Sequence, residues 1–184
     1  IWGQDNPSLL QMAVPSLNIA PDARGGGMGD MGAATLPDIN SQYWNAAKYA
    51  FMGSKAGVSL SYTPWLRKLV NDVALVNMTG YYKLGNSDLQ AISASLRYFS
   101  LGEVNIWENI GDVPYGLNPY EMAFDVAYSR KLSESYSMAV TLRYIRSDMG
   151  TDQNDESNAG NAFSADISGY LEKYVLMGNA EALW

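Results

Sequence analysis

The part of this sequence best suited to chemistry is a glycine-rich run, GGGMGDMG, at positions 25–32. Its last six letters fit G-x-G-x-x-G, the pattern that binds a dinucleotide pyrophosphate where a buried strand turns into a helix. That site also needs an acidic residue about 20 positions later. Here Pro21 lies where the strand should be, Pro37 would end a helix after about one turn, and residues 50–52 carry no carboxylate. The run therefore predicts close packing of glycine backbone, and no cofactor is expected.

Four charged residues of alternating sign form the second set that could do chemistry: Arg97, Asp125, Arg143 and Asp166. Groups of this kind can transfer protons or line an ion path, and they can also pair with one another. The strand pattern described below places them on one face of four successive strands, where opposite charges become cross-strand neighbours. This spacing favours a structural ion network in a barrel lumen over a conduction or catalytic role.

Composition removes most other catalytic and nucleic-acid-binding functions. The sequence has no His and no Cys. This excludes thiol nucleophiles, Ser-His-Asp triads and zinc sites built on these residues. No segment places two carboxylates in a setting that marks an acid–base pair. The net charge of −7 also disfavours a nucleic-acid partner, because phosphate backbones bind basic surfaces. We expect a protein that is not an enzyme.

The elements that must position these residues are β-strands. From about residue 56 onward, apolar residues recur at every second position, as Val58, Leu60 and Tyr62 do in GVSLSYTP. A seventh such segment begins near Asn179. The pattern predicts an all-β fold with six to seven strands of about ten residues each. The five segments that follow the first lie at 72–84, 91–99, 121–129, 137–146 and 162–171.

The second face of these strands distinguishes a membrane barrel from a soluble one. A soluble sandwich or lipocalin also alternates, but its outward face is rich in Lys and Glu. Here the second face is mostly Ser, Ala and Thr, and most charges lie in the connections. A small, polar face suits a lumen better than a water-exposed surface, which favours a transmembrane antiparallel β-barrel.

Tyrosines give a second indication of a membrane barrel. Each of five strands carries one Tyr on its apolar face near the carboxyl end of the strand. Because neighbouring antiparallel strands run in opposite directions, these residues would form two aromatic girdles, one at each membrane interface. The alternative is that Tyr is simply common in strands. The girdle residues are Tyr62, Tyr82, Tyr98, Tyr128 and Tyr144.

Connection lengths alternate in the order expected of a bacterial outer-membrane barrel, which has short periplasmic turns and longer external loops. The connections at 84–88 and 131–136 are short, whereas those at 100–120 and 147–161 are long. This order predicts a periplasmic amino terminus and makes residues 66–72 the first external loop.

Several blocks of the sequence resemble a known family of outer-membrane proteins. The stretch APDARGGGMGDMGAATLPDINSQYWNAAKYAF is similar to the N-terminal hatch of FadL-like barrels. The blocks YWNAAKYAF, GVSLSYTPWL, RYFSLGEV, NPYEMAFDVAYSRKLS and LRYIRSDM resemble the PorV family of the type IX secretion system of Bacteroidota. The resemblance extends from about Pro21 to the end of the sequence. It implies a FadL-like barrel with fourteen strands in complete members, so we expect this chain to supply only part of one.

The same resemblance implies two parts: an N-terminal segment with a hatch, residues 1–55, and barrel strands, residues 56–184. The glycines of the hatch are expected to let its backbone pack tightly inside the barrel wall. The charged residues Asp22, Arg24 and Asp30 are expected to face the ion network of the lumen. The hatch residues are Arg24, Gly27, Gly29, Asp30 and Gly32.

The resemblance implies a role in protein secretion at the bacterial outer membrane. Members of the family bind the translocon barrel, receive cargo with C-terminal signal domains and pass it to the surface sortase complex. Two alternatives remain open: a FadL-type channel for hydrophobic small molecules, and lipid A deacylation. The lack of His and of an evident nucleophile–base pair disfavours deacylation.

Apolar and aromatic residues in the longest connection are the candidates for contact with these partners. They are equally suited to packing back onto the barrel rim. The candidates are Trp107, Ile110, Pro114 and Tyr115.

Overall fold

The period-two segments form one antiparallel sheet. The computed structural model describes residues 14–65, 72–85, 88–106, 115–149, 159–177 and 180–183. Antiparallel strands dominate it, which confirms the all-β prediction. The strands are β1 Ala56–Pro64, β2 Val73–Leu84, β3 Gln90–Leu101, β4 Val104–Ile106, β5 Tyr115–Leu117, β6 Tyr120–Lys131, β7 Tyr136–Asp148, β8 Gly160–Leu171, β9 Tyr174–Met177 and β10 Ala180–Leu183.

Six of these strands make the main sheet, in the order β1-β2-β3-β6-β7-β8. Their register is continuous, so that Gly80 lies between Val58 and Ala94, and Val126 lies between Ala94 and Leu142. An unbroken register keeps every second residue on the same side of the sheet. The sheet therefore has an apolar face, which includes Val58, Leu60, Ile92, Leu96, Val126 and Ile167, and a polar face, which includes Asn77, Ser93, Arg97, Asp125, Ser129 and Thr141.

The remaining four strands form two short hairpins outside the main sheet. Strands β4 and β5 pair within the long connection between β3 and β6, and β9 pairs with β10. The seventh strand expected from Asn179 corresponds to β10, which pairs with β9 rather than with the main sheet. None of the helices in the described ranges is long and apolar enough to cross a membrane.

The burial of the two faces is the reverse of that in a soluble sheet. Ser129 and Thr141 on the polar face are 1% and 5% exposed, whereas Ile167 and Phe163 on the apolar face are 74% and 83% exposed. In a soluble antiparallel sheet the apolar face is the covered one.

The N-terminal segment covers the polar face, and the structure describes residues 14–55 of this segment. It contains four short helical elements: a 3₁₀ turn at Pro15–Asn18, α1 at Ala23–Gly27, α2 at Ser41–Trp44 and a 3₁₀ helix at Ala46–Phe51. The buried core lies between this last helix and the sheet. It consists of Ala46, Ala47, Tyr49, Tyr81, Ala91, Ala127, Ala139 and Tyr170. Alanines on both sides allow the helix to lie close to the strands.

Candidate functional site

Three of the four predicted network residues come together on the polar face. Arg143 Nε lies 2.6 Å from Asp125 Oδ1, its cross-strand neighbour, and Arg143 Nη1 lies 3.9 Å from Asp166 Oδ2. Ser95 Oγ donates a hydrogen bond of 2.9 Å to the other oxygen of Asp125. Both oxygens of Asp125 are therefore engaged, and this group pairs charges on three neighbouring strands.

The fourth residue, Arg97, binds the N-terminal segment. Its Nη1 donates hydrogen bonds to the carbonyl oxygens of Ser16 at 2.9 Å and Ile19 at 3.1 Å. Its guanidinium carbon lies 4.5 Å from the centre of the Tyr43 ring. Arg97 is 4% exposed, so these contacts replace water around a buried charge.

Glu121 is a contact residue that the sequence analysis did not single out. It is buried beneath the N-terminal segment, and its Oε2 accepts a hydrogen bond of 3.0 Å from the backbone N–H of Ser16. Arg97 and Glu121 together hold the 3₁₀ turn at Pro15–Asn18 through groups at both of its ends. The one sequence signal for Glu121 is that it shares strand parity with Asp125.

The glycine-rich run makes its close contacts at positions other than those expected. A Cβ at Gly32 would overlap the ring of Trp44, and a Cβ at Gly25 would lie 2.8 Å from the same ring. A Cβ at Gly27 would meet nothing within 4 Å, so Gly27 does not make the tight contact expected of it. Gly29 has a positive φ of 74°, which favours glycine for backbone reasons instead.

The charged residues of this run are engaged within the N-terminal segment. Arg24 Nη1 lies 3.1 Å from Asp38 Oδ2, and Asp22 Oδ2 accepts a hydrogen bond of 2.9 Å from the N–H of Gly25 at the start of α1. Asp30 is exposed, with a φ of 59°. The contacts of Asp22 and Arg24 thus lie within their own segment, whereas these residues were expected to face the ion network.

Lys48 and Tyr49 connect the run to the sheet. Lys48 Nζ donates hydrogen bonds of 2.8 Å to the carbonyl of Gly32 and 3.1 Å to Thr35 Oγ1. Burial lowers the pKa of Lys48, and the nearby Asp38 partly opposes that effect. Tyr49 stacks on Tyr81 of the sheet at 4.9 Å, and burial raises the pKa of its phenol.

Small polar residues of the sheet add hydrogen bonds along the rest of the interface. Ser93 Oγ donates to Gln42 Oε1 at 2.6 Å, and Ser137 Oγ donates to the carbonyl of Ala47 at 2.7 Å. Asn45 Nδ2 donates to the carbonyl of Gly169 at 2.9 Å, which reaches β8. The contacts therefore extend across most of the width of the polar face.

The five girdle tyrosines all lie on the apolar face. Tyr82 and Tyr128 are both register partners of Ile92, and Tyr62 and Tyr98 are both partners of Val76. The two rows are six residues apart along β2, which corresponds to about 20 Å. Tyr144 is paired with Phe124, one step inward from the Tyr62–Tyr98 row.

The candidates for partner contact fall mostly outside the described residues. Trp107, Ile110 and Pro114 lie there. Tyr115 is the first residue of β5 and pairs with Ile106 through the backbone.

The chemistry available to these residues is that of binding and packing. Among the described residues, no group of three or more acidic side chains could hold a metal ion. The buried charges Arg97 and Glu121 fix the N-terminal segment to the sheet.

Comparison with known proteins identifies a family. The sequence model of PorV, described as type IX secretion system protein PorV, matches residues 3–181. No curated protein matches the chain.

Proposed function

Because the chain belongs to the PorV family of type IX secretion system proteins, we propose that it is a non-enzymatic component of that system in the bacterial outer membrane. In this role it binds the translocon barrel and secreted cargo with C-terminal signal domains. It then passes the cargo to the surface sortase complex.

The observation that carries the membrane position is the exposed apolar face. In lipid, an apolar surface needs no cover, whereas in water it would be a large aggregation-prone patch. The main strands from β2 onward have 12 or 13 residues, more than the 9 to 11 that a spanning strand needs.

The sheet edges support a barrel. Within the described residues, β1 and β8 each have a neighbour on one side only. Unpaired backbone N–H and C=O groups are costly in hydrocarbon, so strands that span a membrane form closed barrels. We therefore propose that this chain contributes six strands to a FadL-like barrel.

In this barrel, residues 1–55 are the hatch and residues 56–184 supply the wall. Three kinds of contact support the division: the Arg97 and Glu121 contacts to Ser16, the Ser137 contact to Ala47, and the stacking of Tyr49 on the wall. These contacts provide partners for polar groups that would otherwise face an open lumen, and they give Arg97 and Glu121 a structural role.

The proposed contacts with partners lie at the rim formed by the long connections. We place them at the apolar and aromatic residues there, because a surface that binds successive cargo proteins needs exposed apolar anchors. These residues are Trp107, Ile110, Pro114 and Tyr115.

A pull-down of the tagged, complete protein from native outer membranes tests the proposal. We expect the translocon barrel and cargo with C-terminal signal domains to co-purify. Trp107→Ala should reduce that recovery, whereas the matched control Leu132→Ala, an exposed residue in a short turn, should not. Recovery of neither partner from membranes that contain the tagged protein would overturn the proposal.

A further inference from the structure

One arginine of the apolar face lies next to the aromatic residues at the carboxyl end of β7. Arg146 is on β7, paired with Met122 on one side and Asn161 on the other. Met122 pairs in turn with Tyr98, so Arg146 occupies the same row as one of the girdle tyrosines. A cation in this position would lie at the membrane interface, where Arg and Tyr are the usual residues.

The guanidinium of Arg146 interacts with the phenol groups of Tyr120 and Tyr144. Tyr120 stacks on Tyr98 with ring centres 5.6 Å apart, and Tyr144 donates a hydrogen bond of 2.7 Å to Asn161 Oδ1. These contacts fix the two rings in place, so the site is formed before any ligand arrives.

The Nε atom of Arg146 is buried and has no hydrogen-bond partner in the described part of the chain. A buried guanidinium N–H normally has an acceptor, because leaving it unmade costs free energy. Phenols on both sides supply polarity but no negative charge. The site is therefore matched to an acceptor that comes from outside these residues.

An apolar groove reaches Tyr144, one of the two tyrosines that interact with Arg146. It has a volume of about 460 Å³ and shares Tyr144 as one wall, and it runs from there toward the middle of β7 and β8. A polar site and an apolar groove that share a wall fit a molecule with an anionic head and a hydrocarbon tail. The apolar and aromatic residues that line the groove are Phe124, Val126, Leu142, Tyr144, Phe163 and Ala165.

We propose that this site binds one membrane lipid that carries a phosphate, with that phosphate on Arg146 and one acyl chain in the groove. The planar guanidinium matches two oxygens of a phosphate, and such charge-assisted hydrogen bonds are strong. Asp148 lies two residues further on the same face, so its negative charge would repel the phosphate. The inference rests on the proposed position of the apolar face in the membrane.

Native mass spectrometry of the complete protein, released from nanodiscs that contain phosphatidylglycerol, tests the phosphate contact. We expect Arg146→Gln to retain this lipid about tenfold more weakly than the unmodified protein. Arg130→Gln is the matched control, since Arg130 is exposed on the same face at the other end of the strands. Equal retention in both variants would overturn the inference.

Further variants and probes test the phosphate contact and the acyl-chain contact separately. Ala165→Phe, which fills the groove, should weaken phosphatidylglycerol binding, and Asp148→Asn should strengthen it. Diacylglycerol, which has the same chains without phosphate, should bind much more weakly to the unmodified protein. If inorganic phosphate displaces the lipid, the site binds a free anion and the lipid assignment is wrong.

The translocon pull-down distinguishes this inference from the proposed function. If Arg146→Gln still co-purifies with the translocon but binds lipid as before, the lipid site alone is refuted. If the unmodified protein is absent from the outer-membrane fraction, the proposed function fails and the lipid site fails with it.

Discussion

On one side of the main sheet, Ser137 is fully buried under the N-terminal segment, while on the other side, one residue away on β7, Met138 is 37% exposed. The contrast holds along β2, β3 and β6, whereas Ser164 and Asp166 on the polar face of β8 are exposed. Burial on the polar side comes with specific partners for polar groups, whereas the apolar side has no cover from the described chain. The two faces of the sheet are therefore suited to two different environments. The N-terminal segment covers the polar face, whereas we propose that lipid covers the apolar face.

The largest test of this comparison places a charge on the apolar face. Leu96 lies between the two tyrosine rows, so Leu96→Lys should destabilise the protein in lipid by about 2–4 kcal/mol. Leu36→Lys, on the exposed surface of the N-terminal segment, should change stability by less than about 0.5 kcal/mol. Denaturant unfolding in lipid vesicles measures both values. Equal effects would mean that the apolar face does not lie in lipid.

The second test adds bulk on the covered side. Gly32→Ala drives a Cβ into the Trp44 ring and should cost about 1–3 kcal/mol. Gly27→Ala is the control, because a Cβ there meets nothing within 4 Å. Proteolysis of the N-terminal segment should become faster in the first variant alone. Identical digestion of both variants would show that the segment does not depend on the Trp44 contact.

The third test removes one hydrogen bond between the segment and the sheet. Ser137→Ala deletes the donor to the Ala47 carbonyl and should lower the free energy of unfolding by about 1 kcal/mol. Ser133→Ala, in the exposed turn nearby, should have little effect. A loss of stability only in the second variant would contradict the proposed role of the polar face.

The smallest test is a change in pH dependence. Burial lowers the pKa of Lys48 in the folded protein, so above that pKa the unfolded chain binds more protons than the folded one. Stability should therefore rise as the pH increases from the lowered folded value toward 10.5, the ordinary value of the group. Lys48→Met should flatten this rise in unfolding measurements across that range. A slope that is unchanged in the variant would assign it to other groups.

The strands were predictable because their signal is local. Alternation of apolar and polar residues specifies both the element and its faces, and the first six predicted segments correspond to the six strands of the main sheet. Their ends differ by one or two residues where polar residues extend the pairing into the connections. The parity of Arg143 and Asp125 in adjacent strands similarly placed them on one face.

Other parts of the site were not predictable because they depend on which residues the fold brings together. Arg97 and Arg143 have the same strand parity, yet one binds the N-terminal segment and the other binds Asp125. The difference arises because the 3₁₀ turn at Pro15–Asn18 reaches Arg97. Gly27 and Gly32 belong to the same motif, and the position of Trp44 determines that a Cβ would overlap a ring at Gly32 but meet nothing at Gly27.

The sequence by itself determined the strands, their two chemically different faces and the resemblance to a family. These properties arise from neighbours along the chain. The tertiary structure alone decided which polar groups meet. Ser16 lies 81 residues from Arg97 and 105 residues from Glu121, and both contacts exist because the N-terminal segment folds over the polar face. A buried charge needs a partner, but the sequence does not say which distant group will supply it.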